Sequence, residues 1–229
     1  MDPSVLRAAR SGRAEALMAL GLTQDAIGVW QGLLDQAPAG DERTTTQILL
    51  ATALLQKGER DRAAALFQEL ATSADPDAVS QGKLGLASVA RDAGEGARAR
   101  GLLSEVAQTA PDPAWRVRAY AELADIALSE GRTDDALVAW RAQIGAVPPG
   151  HPAALEARLQ IVGALEQAGR TDEARAACKA AISAAAGADR STARVSCAEL
   201  AERGQDVATA EALYRSAATE GPEEGRVEA

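Results

Sequence analysis

Gln167-Ala168-Gly169-Arg170-Thr171-Asp172-Glu173-Ala174-Arg175 is one of five variants of a single pattern. Ala19 to Ile27 reads A-L-G-L-T-Q-D-A-I, and Gln56 to Ala64 reads Q-K-G-E-R-D-R-A-A. Asp92 to Arg100 reads D-A-G-E-G-A-R-A-R, and Ser129 to Leu137 reads S-E-G-R-T-D-D-A-L. In each, a glycine (Gly21, Gly58, Gly94, Gly131, Gly169) precedes an alanine (Ala26, Ala63, Ala99, Ala136, Ala174) by five residues. Gly204 and Ala210 form a sixth unit with one extra residue between them. Successive alanines lie 37, 36, 37, 38 and 36 residues apart.

Four residues after each alanine stands Trp30, Phe67, Leu103, Trp140, Cys178 or Tyr214. Twelve residues after it comes Pro38, Pro111, Pro148 or Pro222 in four units; Pro76 arrives one residue late in the second, and the fifth has Ala186-Gly187. Each feature has a mechanical use. Glycine takes the left-handed backbone that ends a helix. Thr23, Thr133, Thr171 and Asp61 stand where an N-cap for the next helix is wanted. The small alanine lets two helices cross closely, and the larger residue one turn on fills the groove beside it. Proline stops the second helix.

This predicts an all-α chain of six helix hairpins at about 4–38, 42–74, 77–110, 113–148, 152–187 and 190–220, with a tail at 221–229. The twelve helices are expected at 4–20, 23–37, 42–57, 60–73, 77–93, 96–109, 113–130, 133–147, 152–168, 171–186, 190–203 and 207–219. No domain boundary is visible, so 1–229 reads as a single domain. A non-repetitive alanine-rich bundle is the competing reading.

The pattern resembles the tetratricopeptide family, whose second helix carries A-x3-F and a later proline. Leu50-Ala51, Leu86-Ala87 and Leu123-Ala124 are similar to the Leu-Gly/Ala pair of that family's first helix, and Tyr120 stands where it has an aromatic. The resemblance covers about residues 4–220. It departs in its longer period and in its mostly missing first-helix aromatics. It implies a right-handed α-solenoid whose first helices line a concave groove. Transferred by register, the groove takes Thr45, Ile48, Thr52 and Leu55; Gln81, Leu84, Ser88 and Arg91; Arg118, Asp125 and Leu128; Glu156, Leu159 and Glu166; and Val195, Glu199 and Glu202. Its implied ligand is a protein or peptide with apolar segments for Ile48, Leu55 and Leu84 and basic segments for Glu156, Glu166, Glu199 and Glu202. The plainer reading packs those apolar residues between hairpins and leaves the acids as a solvated face. Members that hold a C-terminal carboxylate use Lys and Asn. Here the matching places carry Ile48, Leu84, Ala121 and Leu159, then Thr52, Ser88, Asp125 and Gly163, so that clamp is not expected.

Composition narrows the function further. Aromatics make up 3% of the chain and the formal net charge is −9. That charge argues against nucleic acid, which needs a basic footprint, and against an anionic membrane surface. No apolar run approaches the ~20 residues of a membrane span. Met1 to Arg7 lacks a basic start and apolar core, so a cytoplasmic location is the default, and a periplasmic or membrane-anchored one follows if a signal or anchor has been removed. The abundance of Ala, Arg and Gly suggests a bacterial source.

No catalytic or metal-ligating constellation stands out, so no cofactor, no metal and no enzymatic activity are expected. His151, the one histidine, sits in a proline-rich link. Gly94-Glu95-Gly96 follows a helix rather than a strand and is not a dinucleotide loop. Cys178 and Cys197 fall level with each other across antiparallel helices. Two small buried residues in a tight helix contact is the plainer reading, and a disulfide is the alternative in an oxidising compartment. Trp115 lies outside the repeat and is read as packing on hairpin three or as a surface anchor. The residues after the key alanines turn polar toward the C-terminus, ending in Arg175 and Glu211, as if the last hairpin were its own cap.

An adaptor that binds a protein or peptide is the leading functional expectation. A subunit that assembles or forms homo-oligomers through terminal or convex surfaces is the alternative.

Overall fold

The computed structural model describes residues 3–37 and 40–219. The described residues form twelve helices and turns, with no strand among them. The helices are α1 (Pro3–Ala19), α2 (Thr23–Leu34), α3 (Asp41–Gln56), α4 (Arg60–Ala71), α5 (Pro76–Asp92), α6 (Gly96–Thr109), α7 (Pro113–Ser129), α8 (Thr133–Gly145), α9 (Pro152–Gln167), α10 (Thr171–Ala184), α11 (Gly187–Arg203) and α12 (Val207–Thr219). Packing divides the chain into two compact units, Met1–Trp115 and Arg116–Ala229. Odd-numbered helices are the first members of hairpins and even-numbered helices the second. The prolines at 38 and 222 fall outside the described residues.

Every hairpin turns through the same backbone device. Gly21 N–H donates to Met18 O (3.0 Å) and Leu22 N–H to Leu17 O (2.9 Å). These paired bonds satisfy two carbonyls that the ending helix would leave bare. The same pair recurs at Gly58 and Glu59, Gly94 and Glu95, Gly131 and Arg132, and Gly169 and Arg170. Each glycine carries a positive φ, from 70° to 86°. The residue after it opens the next helix, and its carbonyl accepts from the key alanine's N–H, as in Ala63 to Glu59 (3.1 Å). The two helices therefore share a single two-residue hinge.

This geometry corrects two sequence expectations. Thr23, Thr133 and Thr171 are the first residues of α2, α8 and α10, and Asp61 is the second of α4. The cap positions fall on Leu22, Glu59, Arg132 and Arg170, which make no side-chain cap bond. The backbone hinge has already fixed the entry angle there. The sixth hairpin turns at Gln205 (φ 60°), not at Gly204. Gln205 N–H donates to Glu202 O and Asp206 N–H to Ala201 O. Counted from Gln205, Ala210 lies five residues on, so the apparent extra residue vanishes. Left-handed backbone is costly for a side chain bearing a Cβ. Gln205→Gly is therefore expected to raise stability by about 1 kcal/mol, read as a higher urea midpoint at unchanged m-value.

Side-chain caps appear instead where hairpins follow one another. Asp75 Oδ1 accepts from Asp77 N–H (3.0 Å), Asp112 Oδ1 from Ala114 N–H (2.8 Å), and His151 Nδ1 from Ala153 N–H (3.2 Å). Each precedes a proline in the first turn of its helix: Pro76, Pro113 and Pro152. Pro76 thus begins α5 rather than ending α4, because its missing N–H costs nothing at a helix start. His151, in the proline-rich link, is the cap of α9.

The key alanines are fully buried, from Ala26 to Ala174, with Ala210 nearly so. In the first unit the core is bulky: Trp30, Leu33, Leu50, Leu54, Phe67 and Leu70 pack together. In the second, Leu137, Trp140, Ile161 and Leu165 serve α7 to α10. The last helices rely on Val162, Cys178 and Cys197.

Candidate functional site

In each unit neighbouring first helices touch, α3 with α5 and α9 with α11. That contact makes a side-by-side surface on each unit. On the first unit, Thr45, Thr52 and Arg91 are exposed. Ile48 and Leu55 are half-buried and packed on the core. Gln81 and Ser88 are half-buried, and Ser88 Oγ–H donates to Leu84 O (3.2 Å). Leu84 itself is fully buried. It is a core residue and no ligand anchor, because α5 buries residues around most of its circumference: Ala78, Ser80, Gly82, Leu84, Gly85, Leu86, Ala87 and Ala90.

On the second unit, Arg118, Asp125, Glu156, Val195, Glu199 and Glu202 are exposed, and Leu128 and Leu159 are half-buried. Arg118 pairs with Glu122 one turn along (3.1 Å). Glu166 is engaged within the protein. Both its oxygens accept from Arg203 (2.6 and 2.7 Å), and that guanidinium holds its carboxyl below the usual range. Glu202 Oε2 accepts from Tyr214 O–H (3.0 Å). Among the four acids expected to meet a basic ligand, Glu166 and Glu202 thus tie helices together, and Glu156 and Glu199 present their charge outward.

Charged ladders join the hinges of the second unit. Arg170 reaches back to Asp134 (2.6 Å) and along its own helix to Glu173 (2.7 Å). These two hydrogen bonds keep its guanidinium firmly charged. The pairs lie at the surface, where each contributes little in salt.

The structure joins Cys178 and Cys197 in a disulfide, with their Cα atoms 5.7 Å apart. The plainer unbonded contact is thereby replaced by the alternative. Above the bond lies a cleft of about 550 Å³ that the sequence reading missed. Ile182, Leu200 and Leu213 line it beside the two cysteines, and Arg175, Lys179 and Arg203 stand at its edge. Its signal was present in the repeat. Where other hairpins carry Trp30, Phe67, Leu103 or Trp140, the fifth has only Cys178 to fill the groove.

Trp115 is half-buried, and its Nε1–H donates to Asp77 Oδ1 (3.0 Å) at the start of α5, so it packs on hairpin three. Among the described residues no cluster of His, Cys, Asp and Glu is placed to hold a metal ion. No helix among them is long and apolar enough to cross a membrane.

No curated protein matches the chain in sequence. Solved structures share its architecture. BtubC (BKLC) from P. vanneervenii superposes with a TM-score of 0.58 at 14% identity, over 93% of this chain and 89% of that one. PilF of Pseudomonas aeruginosa gives 0.58 at 14% identity, over 93% and 97%. The quorum sensor NprR from B. thuringiensis gives 0.57 at 11%, over 96% and 77%. At such identities the likeness is one of fold. The sequence itself carries the assignment: the tetratricopeptide repeat profile matches residues 48–114, 121–190 and 168–224. That match spans more than half of the chain, and the chain belongs to the tetratricopeptide repeat family.

Proposed function

We propose that this chain is a protein-interaction adaptor that binds a peptide or protein segment on the face of its first helices. The observation that carries the reading is the surface made by α9 and α11, where outward acids (Glu156, Glu199) accompany the half-buried Leu159 and exposed Val195. Apolar side chains beside outward-facing acids suit a ligand that alternates leucine-like and basic residues. A disulfide persists in oxidising surroundings, which favours the periplasmic or anchored expectation over the cytoplasmic default.

The test uses a panel of fluorescein-labelled peptides that pair two leucines with two to four lysines or arginines. Anisotropy should show binding that weakens with salt. Glu156→Lys combined with Glu199→Lys should weaken it by about tenfold or more, the scale of one or two lost charge contacts. Equal binding by the charge-reversed variant, or no binding by any of the panel, overturns the reading.

A further inference from the structure

The first and last described hairpins expose faces that the hairpins between them bury against one another. Twelve residues before each internal hinge stands a small side chain that is closed over: Thr46, Gly82, Ala119, Ala157 and Ala193 are all buried. In α5 the cover is the preceding second helix. A Cβ on Gly82 would stand 2.4 Å from Ala71 N and 2.6 Å from Phe67 O, and one on Gly85 would stand 2.2 Å from Phe67 Cδ1. Phe67 and Ala71 lie four and eight residues after their key alanine, Ala63.

At the N-terminal hairpin the same face is open. Ala9 and Gly12 occupy the places of Gly82 and Gly85, and both are exposed. A Cβ on Gly12 would meet nothing within 4 Å. Val5 and Ala16 extend this stripe along α1 at helical spacing, and Leu20 follows just past its end; Val5 and Leu20 are 59% and 74% exposed. At the C-terminal hairpin, Tyr214 and Ala218 lie four and eight residues after Ala210, in the places of Phe67 and Ala71. Tyr214 is half-buried where Trp30, Phe67, Leu103 and Trp140 are buried, and Ala218 is exposed. Val207, 62% exposed, lies two turns before Tyr214 on the same face. Among the described residues, six of the seven large exposed apolar side chains belong to these two hairpins: Val5, Leu6, Leu20, Leu22, Val195 and Val207.

We propose that copies of this chain associate head to tail, with α12 of one copy lying on α1 of the next as α4 lies on α5. Ala218 then covers Ala9, and Tyr214 covers Gly12. The occupant is a second copy because α12 repeats, in register, the side chains that the equivalent face accepts elsewhere in the chain. Such an interface is heterologous, so it extends into chains or closes into rings rather than stopping at a dimer. The exposed stripe is mostly alanine and glycine, so each contact is modest and association follows concentration. The inference does not rest on the adaptor reading.

Two variants test it, each altering a residue exposed in the single copy: Ala9→Glu blocks the head and Ala218→Glu blocks the tail. Circular dichroism and melting should match the parent for both, so loss of assembly is not loss of fold. By light scattering from micromolar to near-millimolar protein, the parent's mass should climb above 23.6 kDa, while each variant alone stays at that mass. An equimolar mixture of the two variants retains one good head and one good tail, and should form a dimer and nothing larger. A parent that stays monomeric throughout would support the self-capping expectation drawn from Glu211 and overturn the proposal. So would self-association of either variant alone, or a mixture that does not dimerise.

Discussion

Reduction of the Cys178–Cys197 bond is expected to lower the melting temperature of the second unit by about 10 °C. The bond links residues 19 apart in sequence. A loop of that size contributes about 3 kcal/mol by restricting the unfolded chain. In a unit of this length each kcal/mol moves the midpoint by roughly 4 °C. The end of the chain has little with which to offset the loss. The residues buried in α11 are Ala193, Cys197 and Ala198, and those buried in α12 are Ala210 and Ala217. Two alanines bury far less apolar surface than two leucines, so hydrophobic burial at ~25 cal/mol per Å² cannot replace the staple. The Cys178→Ala/Cys197→Ala variant should melt at or below the reduced parent. The first unit, whose core is Trp30, Phe67 and their leucines, should melt as before. The measurement is calorimetry of oxidised, reduced and double-alanine protein, with a thiol count on each. An unchanged profile for protein shown to carry two free thiols sinks the argument.

The hinges were legible because they obey a single-residue rule. Gly21, Gly58, Gly94, Gly131 and Gly169 all take the left-handed backbone that their spacing implies. Gln205 was hidden because its cost is borne by its surroundings, and Gly204 beside it offered a false reference. The helix starts were half legible. The Asp-Pro pairs at 75–76 and 112–113 are strong start signals, and the first is masked because Pro76 falls within one residue of the stop position of the second unit. The surface residues were the least legible. A fixed offset from the hinge selects one side of each first helix. It does not show how many sides that helix buries, and α5 buries enough to enclose Leu84 where the same offset leaves Ile48 and Leu159 half-buried. Nor could it show that Glu166 would meet Arg203, 37 residues away on the next first helix.

Opposite outcomes are expected for one chemical change at two glycines, and together they measure how closely the helices approach. Gly82→Ala is expected to destabilise the first unit by about 3 kcal/mol, the upper part of the overpacking range. The new methyl would stand 2.4 Å from Ala71 N, 2.6 Å from Phe67 O and 2.8 Å from Leu70 C. All three are backbone atoms of α4, so no rotamer change relieves the clash, and α4 must move off α5. That motion loosens Phe67 and Leu70, both nearly fully buried. The gain from replacing a helical glycine, about 1 kcal/mol, is outweighed. Gly12→Ala meets open space. It should keep the propensity gain alone and stabilise by up to about 1 kcal/mol. Both are read from urea unfolding at low concentration, where any head-to-tail contact through Gly12 is dissociated. If Gly82→Ala proves as stable as the parent, α4 and α5 are not in backbone contact, and the template for placing α12 on α1 is lost with it. If instead Gly82→Ala collapses the first unit and Gly12→Ala strengthens it, the close approach at α5 is real and the equivalent seat on α1 is empty in the single copy.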